Sequence, residues 1–88
     1  MHGRRVSQAS GTVFRVVADV EPSSLPRIAG LLSLANVAPV SLHCVRYGED
    51  RLAVCAMVED ITASTTDLIY RKLSQLTCVH ECSVEIAT

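Results

Sequence analysis

The sequence predicts an α+β domain in which one four-stranded antiparallel sheet carries two helices on one face. Three observations lead there. Along the 88-residue chain the apolar residues switch from strand-like alternation to helical spacing and back, in the order β-α-β-β-α-β. The two middle strands are joined by "YGED", a stretch that fits a hairpin turn. Each helical stretch lies between two strands, and right-handed crossovers then give the strand order 4-1-3-2. This is the split-βαβ, or ferredoxin-like, plan.

The elements follow in order. Residues 1–11 are polar and aperiodic and read as a flexible tail, leaving residues 12–88 as one domain. "TVFRVVADV" (Thr12–Val20) is short and β-branched, as a strand requires. Phe14, Val16 and Ala18 share the better core face; Val13, Arg15, Val17 and Asp19 share the other. In "SLPRIAGLLSLAN", Leu25, Ile28, Leu32 and Ala35 fall at helical spacing, with Leu31 beside them. Ser23 or Ser24 suits the N-cap, and Pro26 fits the first turn, where its missing N–H is no loss. Gly30 sits mid-helix at a cost of up to about 1 kcal/mol against alanine; close approach of helix to sheet is the expected reason. Asn36 suits a left-handed terminator.

"VAPVSLHCVRY" reads as the second strand, with Pro39 near its start as an edge strand allows. "RLAVCAMVE" (Arg51–Glu59) is apolar on both faces, which predicts a central strand covered on both sides. "DITASTTDLIYRKLSQL" is the second helix, capped by Thr62 or Ser64, with Thr65, Ile69, Leu73 and Leu76 facing inward. "CVHECSVEIA" alternates as the last strand, with Cys82, Val84 and Ile86 pointing one way. Strands two and four become edges. Val13, Val17, Cys55 and Met57 on the back of the sheet favour a covered back face or an edge-to-edge dimer.

Composition narrows the function. At 49% apolar and 19% charged, the chain is globular rather than disordered. Its only aromatics are Phe14, Tyr47 and Tyr70, so the core must be aliphatic. So short a chain hides only about 60–65% of its unfolded surface, and a second copy is a common remedy. Net charge is −1, with no basic cluster beyond Arg4 and Arg5, which argues against nucleic acid. No apolar run approaches a membrane span, and no apolar stretch follows the early arginines as in a signal peptide. The expectation is a cytoplasmic protein. Cys44, Cys55, Cys78 and Cys82 lie in apolar strand patterns and read as buried free thiols.

No catalytic motif is visible, and no cofactor is expected. "CVHEC" sets Cys78, His80 and Cys82 at alternate positions, where thiolates and imidazole would suit zinc or copper. Structural zinc needs four ligands, however, and core or edge roles fit these residues better. His43 and Cys44 are strand neighbours and point to opposite faces, so they cannot form a nucleophile pair in regular geometry. Asp19, Glu21 and Asp50 are isolated carboxylates. Arg15 suits a solvated or ion-paired role.

One segment is more specific. A strand ending in Asp19, then Pro22, Ser23 and Leu25, then the helix "RIAGLL" (Arg27–Leu32) and "NV" into a second strand resembles the ACT domain. "KLSQLTCVHECSVE" (Lys72–Glu85) resembles the family's last helix entering its last strand. The likeness covers roughly Thr12–Ile86, and its flavour is that of the small regulatory subunit of acetolactate synthase. It implies a non-catalytic regulatory domain that forms a homodimer, often as an eight-stranded sheet. It also implies a small effector, commonly an amino acid, at the interface near the first strand–helix turn, modulating a metabolic enzyme. Carried over by position, the candidate ligand residues are Asp19, Val20, Glu21, Pro22, Ser23, Ser24, Leu25, Val37 and Ala38. Ser23 stands where the family motif has glycine, and Ala38 where ligand-binding members tend to have asparagine. A degenerate domain serving only as a dimerisation or protein-interaction module is the other role the resemblance leaves open.

Overall fold

The structure is a computed structural model that describes residues 11–87. Its elements are β1 (Gly11–Asp19), α1 (Ser24–Leu34), β2 (Ser41–Tyr47), β3 (Arg51–Glu59), α2 (Ala63–Gln75) and β4 (Val79–Ala87). The strands form one antiparallel sheet in the order β2-β3-β1-β4, which is the expected 4-1-3-2 read from the other edge. β1 starts at Gly11; the rest of the expected tail lies outside the described residues.

β1 and β3 pair along their whole length, from Gly11↔Glu59 to Asp19↔Arg51. This register turns Phe14, Val16 and Ala18 to the same side as Leu52, Val54, Ala56 and Val58, and all seven are buried. Ile28 and Leu32 from α1 and Ile69 and Leu73 from α2 close the core over them. Each large aliphatic residue fully buried in this way contributes roughly 1.5–3 kcal/mol. The inward stripe of α2 begins at Thr66, not Thr65. The helix starts directly after its Thr62 cap, so positions 66, 69 and 73 face the sheet. Thr62 Oγ1 accepts the Thr65 amide at 3.1 Å, and Thr66 Oγ1 donates to the Thr62 carbonyl at 2.9 Å.

α1 ends two residues before Asn36, which takes the left-handed conformation at φ 61°. The Asn36 amide donates to the Ser33 carbonyl and the Val37 amide to the Leu32 carbonyl, both at 2.9 Å. This paired arrangement satisfies carbonyls that a helix end otherwise leaves open. Gly30 does not serve a close approach: a methyl group there would meet nothing within 4 Å. Gly30→Ala is therefore expected to stabilise the protein by up to about 1 kcal/mol. The check is a higher urea midpoint at unchanged slope; a lower midpoint would mean that the position is closely packed.

Two further expectations are corrected. Pro39 precedes β2, which begins at Ser41. β3 is central, but no element among the described residues covers its back face: Ala53 and Cys55 are half-buried and Met57 is exposed. β2 lies beyond the reach of both helices, and every residue after Ser41 is exposed. For that reason only Cys78 is a buried thiol. Cys55 and Cys82 are half-buried and Cys44 is exposed, all four being free.

Candidate functional site

The turn from β1 into α1 is tied down by its own backbone. The Asp19 amide donates to the Cys78 carbonyl at 2.8 Å, which anchors the end of β1 to the start of β4. The Glu21 amide returns to the Asp19 carbonyl, and the Ser24 amide donates to the Glu21 carbonyl, both at 3.1 Å. A helix start leaves its first amides unpaired and carries partial positive charge, so it suits an anion. Here that capacity is reduced. Ser24 N–H is engaged and Pro26 has none, so Ser23 and Leu25 supply the amides at the start of the helix that have no backbone acceptor among the described residues. Ser23 has φ −86° and ψ −11°, a right-handed geometry that serine adopts without strain. Replacing a glycine at this position thus costs nothing in conformation. The Ser23 hydroxyl makes no capping bond, and the hydroxyl of the fully buried Ser24 has no partner among the described residues.

Asp19 is not an isolated carboxylate. Its Oδ1 lies 2.5 Å from Nε2 of His80. The cause is a bulge in β4. Val17 pairs with Glu81 but Ala18 pairs with Val79, so His80 is an extra residue without a partner on β1. The bulge breaks the alternation that "CVHEC" suggested. Cys78 is buried ahead of the strand, His80 swings to Asp19, and Cys82 faces the helices opposite Val16. Among the described residues, no three His, Cys, Asp or Glu side chains are grouped to hold a metal ion. Burial pushes the Cys82 thiol above its ordinary range, against a smaller opposing effect of a hydrogen bond with Ser74.

Val37 and Ala38 are not beside the turn. They lead into β2, whose first residue pairs with Met57, and Met57 in turn faces Val13. Val13 and Asp19 are six residues apart on β1, so the two halves of the candidate site are separated by roughly 20 Å. Val37 and Ala38 instead line a cavity of about 260 Å³ with Asn36, Glu59, Asp60 and Thr62. Asn36 and Asp60 are the two non-glycine residues of the described chain with positive φ, at 61° and 57°. In the sequence alone, Asn36, Glu59 and Asp60 have no site role, and His80 has only the disfavoured metal role within "CVHEC". The left-handed fit of Asn36 was a legible signal; the bulge that moves His80 was not. Arg15 is ion-paired with Glu85 across β1 and β4, and Asp50 with Arg51 at 3.1 Å. His43 pairs with Cys55 and Cys44 with Val54, so the two neighbours do face opposite ways.

The sheet order and the two helices on one face define a small split-βαβ module. A family model for the ACT-like domain matches residues 6–88, and the chain belongs to that family. Domains of this family are typically regulatory and non-catalytic. The fold is similar to the C-terminal domain of the MgtC protein from Mycobacterium tuberculosis, with a TM-score of 0.75 at 12% identity over 97% of this chain and 98% of that one. It is also similar to the ACT domain from GTP pyrophosphokinase of Chlorobium tepidum, with a TM-score of 0.74 at 12% identity over 85% of this chain and 96% of that one. A homoserine dehydrogenase from Thiobacillus denitrificans matches with a TM-score of 0.70 at 12% identity, where 90% of this chain aligns with 17% of the larger one. At such identities the likeness is one of fold. No curated protein matches the chain. No helix among the described residues is long and apolar enough to cross a membrane.

Proposed function

We propose that the chain is a non-catalytic regulatory domain that pairs with a second copy along β2, holds a small effector between the two, and modulates a metabolic enzyme. The observation that carries this reading is the separation of the candidate site. Residues Asp19–Leu25 lie at one end of the sheet, and Val37 and Ala38 lie at the other. When identical edge strands pair antiparallel about a two-fold axis, the start of each β2 meets the end of its mate. The turn of one copy then comes toward the Asn36–Ala38 segment of the other. The exposed edge strand β2, with Leu42, Val45 and Tyr47 uncovered, supports that pairing. A carboxylate would take the Ser23 and Leu25 amides, and an ammonium group would suit the Glu59 and Asp60 side. That combination describes an amino acid or a close analogue. Four free thiols and the absence of basic clusters fit a reducing, cytoplasmic setting.

Thermal melts against each standard amino acid test the reading. A bound effector should raise the melting temperature in proportion to the logarithm of its excess, by several degrees at about 100 times its dissociation constant. Failure of every amino acid to shift the melt would reject amino-acid sensing. It would favour the second reading, a pairing and interaction module without ligand. That reading draws on the engaged Ser24 amide, the missing N–H of Pro26 and the His80 contact to Asp19.

A further inference from the structure

We infer that the groove between α2 and the free edge of β4 receives an extended segment of a partner protein in which basic and aliphatic residues alternate. This proposal does not depend on an effector. Among the described residues β4 is an outer strand, with β1 on one side and no strand on the other. Past the bulge, Glu81–Ala87 run in unbroken register with β1, so their outer backbone groups form a regular row. The natural complement of such a row is another extended backbone.

The side chains specify more. Ala63, Thr66 and Tyr70 stand on one face of α2 and form a wall. Cys82, Val84 and Ile86, at alternate positions of β4, form the floor of a groove of about 450 Å³. Tyr70 and Ile86 remain 38% and 59% exposed, far more than the core requires of residues so large and apolar. An incoming strand would lay aliphatic side chains into this groove from every second position. Its remaining side chains would fall on the other face of the sheet, where β4 presents Glu81, Ser83 and Glu85. Glu85 meets Arg15, while Glu81 has no ion-pair partner among the described residues. Basic residues on that face would be the matching cross-strand partners.

A second copy is the poorer occupant. Full-length self-pairing of β4 centres on Ser83 and places Glu81 directly opposite Glu85 twice, a like-charge pairing that destabilises. Self-pairing of β2 creates no such clash, since it sets His43 against Val45 and Leu42 against Arg46. The two edges are thus divided between two uses.

The test is amide-resolved NMR of the full chain titrated with acetyl-(Lys-Val)3-amide and, separately, acetyl-(Glu-Val)3-amide. The lysine peptide should perturb amides of Ala63–Tyr70 and Glu81–Ala87 and slow hydrogen exchange in β4. The glutamate peptide should bind at least about fivefold more weakly, and Glu81→Lys should reverse the preference. Glu81 is exposed, so the variant keeps the fold. No perturbation up to about 1 mM, perturbation at β2 in place of β4, or equal response to both peptides would each overturn the proposal. So would a preference that Glu81→Lys leaves unchanged.

Discussion

Phe14→Ala is expected to remove about 3–5 kcal/mol of stability, the loss typical of deleting a buried aromatic ring. Phe14 is 1% exposed at the middle of β1, a strand paired on both sides and covered by both helices. The other two aromatics, Tyr47 and Tyr70, are exposed, so no second ring can take its place. A domain this size holds about 5–15 kcal/mol in total, with small ones toward the lower end. The variant should therefore be partly unfolded at room temperature, or have a urea midpoint at most half that of the parent. Leu34→Ala, as a control, should change the midpoint little, because Leu34 is 86% exposed. A Phe14→Ala loss under about 1 kcal/mol would mean that the aliphatic neighbours collapse into the space and that the ring is not the keystone of the core.

The second large effect concerns assembly. Val45→Lys should convert the protein from two chains to one, as measured by light scattering, while keeping its circular dichroism. Its melting temperature should fall only by the part that pairing contributed, and should no longer depend on protein concentration. Val45 is 61% exposed, so the fold does not need it. A lysine on an edge strand opposes pairing with another strand, because its charge must remain hydrated. The same pairing makes a covalent prediction. Ser41–Tyr47 has seven residues, and Cys44 is the central one. In a fully overlapped two-fold pair it faces its own copy. Antiparallel partners have Cα atoms about 4.5–5.5 Å apart, within the span of a disulfide. Diamide, which accepts two electrons and two protons, should therefore link two chains through Cys44. Cys44→Ser should abolish the link, and the buried Cys78 should play no part. A parent protein that scatters as one chain at working concentration would reject the dimer outright. A dimer that survives Val45→Lys and fails to cross-link would place the interface elsewhere.

The fold was legible because the signals for it are local. The alternation in Thr12–Val20, the spacing of Ile28 and Leu32, and the cap at Thr62 each depend on neighbours along the chain, and the structure keeps all three. The family was legible in the same way, from the order of short motifs. Gly30 shows the first kind of limit. A glycine in a helix states that a side chain is absent, not why, and the space around it depends on elements distant in sequence. His80 shows the second. Strand alternation fixes where side chains point only while the register holds, and one unpaired residue moved this imidazole onto Asp19. The candidate site shows the third. Asp19–Leu25 and Val37–Ala38 were grouped by family position, and a single chain holds them at opposite ends of its sheet. In the proposed pair a second copy would bring them together, and one sequence carries no mark of its copy's placement.

The meeting of Gly11 and Ala87 has a consequence for how such a domain is used. The two residues are direct partners across β1 and β4, so the chain enters and leaves the sheet at one corner. A host protein could carry the module in a surface loop with its own two ends only about one strand spacing apart. Nothing in the host would need to be wedged open, and no sheet pairing in the module would be lost. Modular insertion, tandem repetition and circular rearrangement are all geometrically undemanding for a fold closed at its corner in this way.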